Sequence, residues 1–308
     1  MFFFTGYTFT GVLIALSVLV GLIVLNETSR RYKWLSIVLY IIIPAVFTFF
    51  VWPRIAGKGS NNGGTWFAWA KTYSALAGCW IFMAIRYTEK LRFNKVMLFL
   101  PPAILSINII EAIIADIETF GKHGVFEAGL LYNGGPWNII NAIAGILLIL
   151  TLSGWVGITV SKNRSRDMVW PDQLWFWIVA YDLWNISYCY NCISNRSFYA
   201  GFILLVSCTF CEFVFRKGVW LQHRAQTLAL FAMFSLTFDY ASHKTLFPIE
   251  STQMDAPKMV LAILALAANL AVFIYEIKVI RKTRRNPLKE DLYRDLKCYK
   301  NVLKANNL

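Results

Sequence analysis

The sequence predicts an all-α, polytopic transmembrane bundle of about nine spans, with the N-terminus outside and the C-terminus cytoplasmic. Three observations carry this expectation. Hydrophobic residues make up 57% of the 308 and charged residues only 15%, against ~45–50% and ~25% in soluble domains. The apolar residues come in long blocks instead of alternating, and the mean hydropathy is +0.52. The basic residues cluster on alternate connections. Together these exclude a soluble enzyme, a disordered scaffold and a secreted disulfide module.

A helix needs about 20 apolar residues to cross roughly 30 Å of hydrocarbon. Nine blocks qualify, at 7–25, 35–52, 65–86, 95–116, 136–160, 173–193, 198–216, 219–239 and 258–281. The start, MFFFTGYTFTG, has no basic n-region and no small-residue cleavage site, so the first block reads as a retained helix. Counted over alternate connections, one side and the C-terminal tail hold 22 Lys and Arg, and the other side holds six. The richer side is expected to be cytoplasmic, and an odd number of spans then places the N-terminus outside. The net charge of +13 is absorbed by this asymmetry, so it does not call for nucleic acid as a partner.

The chain divides into a transmembrane bundle, 1–281, and a basic tail, 282–308. In the tail, Asn286-Pro287 suits a helix start, with Glu290 and Asp291 in the first turn. Leu288, Leu292, Leu296, Tyr299 and Leu303 then recur at helical spacing. This predicts a basic amphipathic helix lying on anionic lipid. A soluble protein or a second protomer is the alternative partner for the same face.

Function is sought among the ionisable groups at membrane depth, since each costs about 2.5–3.5 kcal/mol there even on insertion scales. They are Lys71, Glu111, Asp182, Glu212, His223 and Arg224, with Asp116 and Asp239 near outer helix ends. At 1.5 Å per residue, Lys71 lies about 9 Å and Glu111 about 6 Å below the outer boundary, within reach of each other. Glu212, His223 and Arg224 lie about 6–9 Å from the inner boundary and form a second candidate group, a gate or proton exit. Asp182 falls near the midplane with no basic residue at its depth, so it is expected to be protonated, to bind a cation or to face a ligand. Asn185 follows it by one turn. Asn108 with Glu111, and Asn138 with Asn141, form further polar stripes at i,i+3. Pro101-Pro102 removes two backbone donors from the fourth span, and a broken helix at depth implies a cavity. The expected solute site is therefore Asp182, Asn185, Glu111, Asn108, Lys71, Asn138 and Asn141.

Metal and covalent chemistry find little purchase. Cys189/Cys192 and Cys208/Cys211 are C-x-x-C pairs, but they lie at different depths, too far apart for one four-thiolate site. His123 with Glu127, and Asp239 with His243, are i,i+4 pairs on the outer face and give only a weak zinc candidate. Three histidines are too few for a multi-histidine lipid hydroxylase, and no Walker A, GxSxG or HExxH pattern occurs. No cofactor is expected.

GTWFAWAKTYSALAGC at 64–79, PWNIINAIAGIL at 136–147, WPDQLWFWIVAYDLWNISYCYNC at 170–192 and WLQHRAQTLALF at 220–231 carry a resemblance. In these stretches the chain resembles a family of bacterial multipass membrane proteins classed only as domain of unknown function 5692. The likeness implies a bacterial plasma-membrane bundle and supplies no activity, substrate or catalytic residue. The segment 175–202 is also faintly similar to nicotinamide-riboside transporters, which are shorter bundles with a Trp/Asn-lined site; nine spans depart from that pattern. The leading functional expectation is a transporter or permease for a small polar solute, proton- or cation-coupled through Asp182. An intramembrane enzyme acting on a lipid or isoprenoid, with Asp182 or Glu111 as acid/base, and a ligand sensor signalling through the tail are the alternatives.

Overall fold

The structure is a computed structural model and describes residues 1–58, 62–241 and 247–308. Each of the nine apolar blocks forms a helix: α1 Phe9–Arg31, α2 Lys33–Ile55, α3 Trp66–Tyr87, α4 Lys95–Thr119, α5 Pro136–Leu150, α6 Trp175–Cys192, α7 Phe198–Phe215, α8 Trp220–Thr237 and α9 Asp255–Thr283. Five of them, α1, α2, α4, α7 and α9, are long and apolar enough to cross a bilayer. The other long helices, α3, α6 and α8, carry more polar side chains and sit inside the bundle. Large apolar side chains on the outer helices, such as Phe9, Leu13, Leu16, Phe49, Ile107, Ile114 and Ile263, are exposed. Polar groups inside and apolar groups outside is the arrangement that suits a lipid solvent.

Two-stranded ribbons mark the ends. At one end, β1 (Phe4–Thr5) pairs with β6 (Glu250–Ser251), and β2 (His123–Glu127) pairs with β3 (Leu130–Asn133). At the other, β4 (Thr159–Val160) pairs with β5 (Met168–Val169) beside the C-terminal tail. We call these the hairpin end and the tail end.

Two local expectations change. The block 136–160 is helical only to Leu150, about 22 Å of helix. Gly154 then turns with φ +68, and Trp155–Gly157 forms a short 3₁₀ turn leading into β4. The apolar residues past 150 belong to a packed connection, where Trp170 Nε1 donates to Ser153 O at 3.0 Å. Pro101 and Pro102 do not break α4, which runs unbroken from Lys95 to Thr119. Both prolines are buried, and Pro101 lines a cavity inside the bundle.

α6 organises the interior. Trp177, Tyr181, Trp184 and Tyr188 form one buried stripe at helical spacing, with Trp177 on Tyr181 and Trp184 on Tyr188 stacked. Their indoles are satisfied by α5, Trp184 Nε1 donating to Asn141 O at 3.1 Å. Gly145 admits this contact, because a Cβ there would lie 2.7 Å from Ile113 Cγ1 and 2.8 Å from Trp184 Nε1.

The tail folds back on the protein. The helix expected from Asn286 is confined to α10, Lys297–Ala305. Residues 286–290 instead form a turn in which Asn286 Oδ1 accepts from Leu288 N at 2.9 Å. Leu292, Tyr293, Tyr299 and Val302 bury against Val169, Leu174 and Val219. The apolar face expected on lipid is thus covered by the chain itself, and Leu288 alone of the heptad-like set is left largely exposed. Asp172 anchors this docking, accepting from Leu292 N and Tyr293 N at 2.9 Å each and from Ser153 Oγ at 2.8 Å. Burial pushes its carboxyl up to about 6.

Candidate functional site

α3, α4, α6, α7 and α8 enclose a cavity of about 150 Å³. A vestibule of about 230 Å³ lies beside it toward the hairpin end, walled by Glu118, Lys122, Glu127 and Tyr132 among others. The two share Thr65, Phe67, Leu130, Tyr188 and Ile193. Phe67 and Tyr188 lie there with ring centroids 6.1 Å apart and planes tilted by 48°, at the partition between the two spaces, which we call the neck.

Most of the cavity wall is apolar, with Phe82, Ile104, Leu105, Leu221, Leu228 and Phe231 among its members. Its polar members come mainly from four helices, α3, α4, α6 and α8. On α3, Lys71 Nζ donates to Asn108 O at 2.9 Å, to Asn108 Oδ1 at 2.8 Å and to Glu111 Oε2 at 3.1 Å. Ser74 Oγ donates to the same Asn108 Oδ1 at 3.1 Å. Lys71, Asn108 and Glu111 therefore converge, as their depths suggested. On α8, Arg224 is 7% exposed, with Nε to Tyr181 Oη at 3.4 Å and Nη2 to Asn185 Oδ1 at 3.5 Å. Its Nη1 has no hydrogen-bond partner.

The other expected site residues lie elsewhere. Asp182 is not in the cavity wall. It faces α7, where Thr209 Oγ1 donates to its Oδ2 at 2.7 Å and in turn accepts from Trp220 Nε1 at 3.0 Å. Asn138 and Asn141 point at α4 and donate to the two oxygens of fully buried Asp116 at 2.8 and 2.7 Å. Cys192 Sγ lies 3.4 Å from the same Oδ1. This cluster ties α4, α5 and α6 together outside the cavity. Glu212 meets neither His223 nor Arg224; it accepts from Gly218 N at 2.5 Å and Val219 N at 3.0 Å, capping the turn into α8. His223 turns toward α1, where its Nδ1 lies 2.8 Å from Asn26 Nδ2.

A group the sequence reading treated only as boundary charge forms the polar centre of the tail end. Asp167, fully buried, receives Arg86 and, at 2.6 Å, Arg30 Nη1. Gln222 Nε2 donates to it at 3.1 Å, and Arg216 Nε lies 3.9 Å away. Arg30 also pairs with Glu27 at 2.6 Å. Burial opposes ionisation of Asp167, but Arg86 and Arg30 outweigh it and hold the carboxyl well below the usual carboxylate range. The signal in the sequence was an acid directly after the basic run Lys162–Arg166, on the same side as arginines in the last turns of two apolar helices.

Glu27, Cys211 and His223 each bring one potential metal ligand atom within 4.8 Å of the others. Glu27 already carries Arg30 at 2.6 Å and Arg31 at 3.5 Å, so a cation would compete with two guanidiniums for its charge. Of the zinc candidates at the hairpin end, His123 and Glu127 do not converge. His123 and Glu127 lie on a strand, not a helix, so i,i+4 separates them by about 13 Å. His123 Nδ1 is 3.0 Å from Gly134 O, and Glu127 pairs with Lys122 at 3.2 Å. Asp239 lies past the end of α8, and His243 is outside the described residues. All six cysteines are free thiols.

Apolar outer helices around a buried polar interior define a helical membrane protein. A family model described as a family of unknown function (DUF5692) matches residues 6–305, nearly the whole chain. The chain belongs to that family. No curated protein and no solved structure matches it, so the likeness to nicotinamide-riboside transporters finds no support.

Proposed function

We propose that the protein is a permease for a small solute in a bacterial plasma membrane, with the eight long helices and the shorter α5 crossing the bilayer, the hairpin end outside and the tail end cytoplasmic. The observation that carries this reading is that vestibule and cavity adjoin across one shared set of residues, Thr65, Phe67, Leu130, Tyr188 and Ile193. A path that enters from one end and stops inside the bundle is what one state of an alternating-access transporter requires. One turn past the cavity residue Phe82 stands Arg86, and next to Leu221 stands Gln222, so the Asp167 network lies just beyond the cavity floor. That network is the proposed inner closure, in place of Glu212. The basic count of the tail end supports its cytoplasmic placement.

Asp182 is the proposed coupling carboxylate, since its Oδ1 is buried without a hydrogen-bond partner one turn before Asn185 of the wall. The enzyme reading has less behind it: no Asp or Glu is among the residues lining the cavity, so neither Asp182 nor Glu111 faces it as an acid/base.

The test is cysteine accessibility combined with flux. Ala75→Cys, in the wall, should react with a membrane-impermeant thiol reagent from the hairpin side of oriented vesicles and not from the tail side. Reconstituted protein should carry solute, and Asp182→Asn should abolish its dependence on a proton gradient. Labelling of Ala75→Cys from the tail side alone, or consumption of a labelled lipid with no flux, would sink the permease reading.

A further inference from the structure

We propose that the cavity binds a small organic monoanion, with Arg224 as counter-ion to its carboxylate or phosphate headgroup and the aromatic and aliphatic wall around its apolar body. This rests on the reading of the cavity as the solute site. The guanidinium of Arg224 cannot shed its charge and has five N–H donors in a planar fork. Two of these reach neutral oxygens at 3.4 and 3.5 Å, long for charge-assisted bonds, and Nη1 reaches nothing. A charge that is nine-tenths buried calls for an opposite charge. Arg30 and Arg86 find theirs in Asp167 and Glu27. Arg224 makes no ion pair among the described residues.

Charge balance sets the class of ligand. Lys71 is neutralised by Glu111, and no carboxylate lines the wall; Asp182 feels the field of Arg224 but takes its hydrogen bond from Thr209 outside the cavity, so the positive charge that faces the cavity is that of Arg224. A cationic solute would meet the same uncompensated charge and be repelled. Size and surface set the body. A dry cavity of about 150 Å³ holds a benzene-sized molecule, and Phe67, Phe82, Tyr181, Tyr188 and Phe231 supply ring faces and edges. Lys71 stands seven residues along α3 from Gly78, which is level with Ala225 on α8. The backbones that carry the two cations therefore differ in level by about 10 Å along the bundle, while the charged heads are close enough for Lys71 to feel the field of Arg224.

The experiment is equilibrium binding to the purified full-length protein in detergent, read by tryptophan fluorescence and calorimetry. The probes are benzoate, phenyl phosphate, benzamide, benzylamine and inorganic phosphate. Benzoate or phenyl phosphate should bind at least tenfold more tightly than isosteric benzamide, than benzylamine and than inorganic phosphate. Arg224→Gln should weaken the anion about tenfold to a hundredfold, and Arg224→Lys should recover part of the loss. Equal affinity for benzoate and benzamide, no binding by either aromatic anion, or an unaltered Arg224→Gln would overturn the assignment. If Arg224→Gln fails to fold, the ranking of probes on wild type decides alone. Displacement of benzoate by a short-chain phosphatidic acid would mark a lipid headgroup as the source of the anion, and its failure a free solute. Flux is measured separately in proteoliposomes. Anion binding without flux refutes the permease and leaves the site standing; flux of neutral solutes without anion preference refutes the site alone.

Discussion

Removing the carboxylate of Asp167 tests what a buried carboxylate held by two arginines contributes to the fold. The side chain is fully buried between Arg30 and Arg86, which are 3% and 5% exposed, and it joins α1, α3, α8 and the connection before α6. Asp167→Ala leaves two buried guanidiniums facing each other with Glu27 as their nearest acid. Breaking one partner out of a buried ion pair costs about 3–5 kcal/mol, and the second guanidinium places the effect at the upper end of that range. The assay is unfolding of purified protein by denaturant at constant detergent, at neutral pH. Replacing the cluster together, Arg30→Met, Arg86→Met, Asp167→Leu and Glu27→Gln, should recover most of the loss, since neither the carboxylates nor the arginines of the cluster are then left as unpaired buried charges. A loss below about 1 kcal/mol for Asp167→Ala would refute the argument that this network closes the tail end. The pH dependence has a definite sign. A carboxyl with a depressed folded pKa contributes its full stability above its unfolded value of about 4 and loses it only as pH falls further. Stability from Asp167 should therefore be flat from pH 5 to 8.

Asp172 should behave in the opposite way: burial raises its carboxyl to about 6, so the native state holds the proton more tightly than the unfolded chain. Tail docking should be firmest below pH 4 and weaken as pH rises through 6; proteolysis of residues 286–308 across that range would show it, and a flat profile would count against it. Asn141→Ala removes a donor from the buried Asp116 carboxylate and should cost about 1–3 kcal/mol, with strong non-additivity against Asp116→Asn in a double-mutant cycle. Gly145→Leu should destabilise by at least about 1–3 kcal/mol, because even its Cβ must displace Ile113 or Trp184; a neutral melt would refute the close approach of α4, α5 and α6.

How much of this was legible in the chain follows from the kind of physics involved. Hydropathy is local, so all nine helices could be placed from their apolar blocks, and only the fifth ran ten residues too long, where Gly154 and a short 3₁₀ turn interrupt a sequence that stays apolar. Depth is local too, because it follows from helical rise, and it brought Lys71 to Glu111 correctly. Rotation about the helix axis is another matter. Asp182 and Asn185 are one turn apart on α6, yet Thr209 of α7 takes the first while the second meets Arg224 across the cavity wall. Asn138 and Asn141 likewise face Asp116, which a depth estimate alone could not pair with them.

The sequence by itself determined an all-helical membrane chain and a strong excess of basic residues on one set of connections, because transfer free energy and charge are properties of residues and short windows. Only the tertiary structure decided which ionisable groups neutralise one another. A buried charge answers to whatever lies within a few ångströms, and those neighbours come from distant helices. Asp167 gathers arginines from α1 and α3, while Arg224, on the helix beside them, makes no ion pair among the described residues at the edge of an apolar cavity.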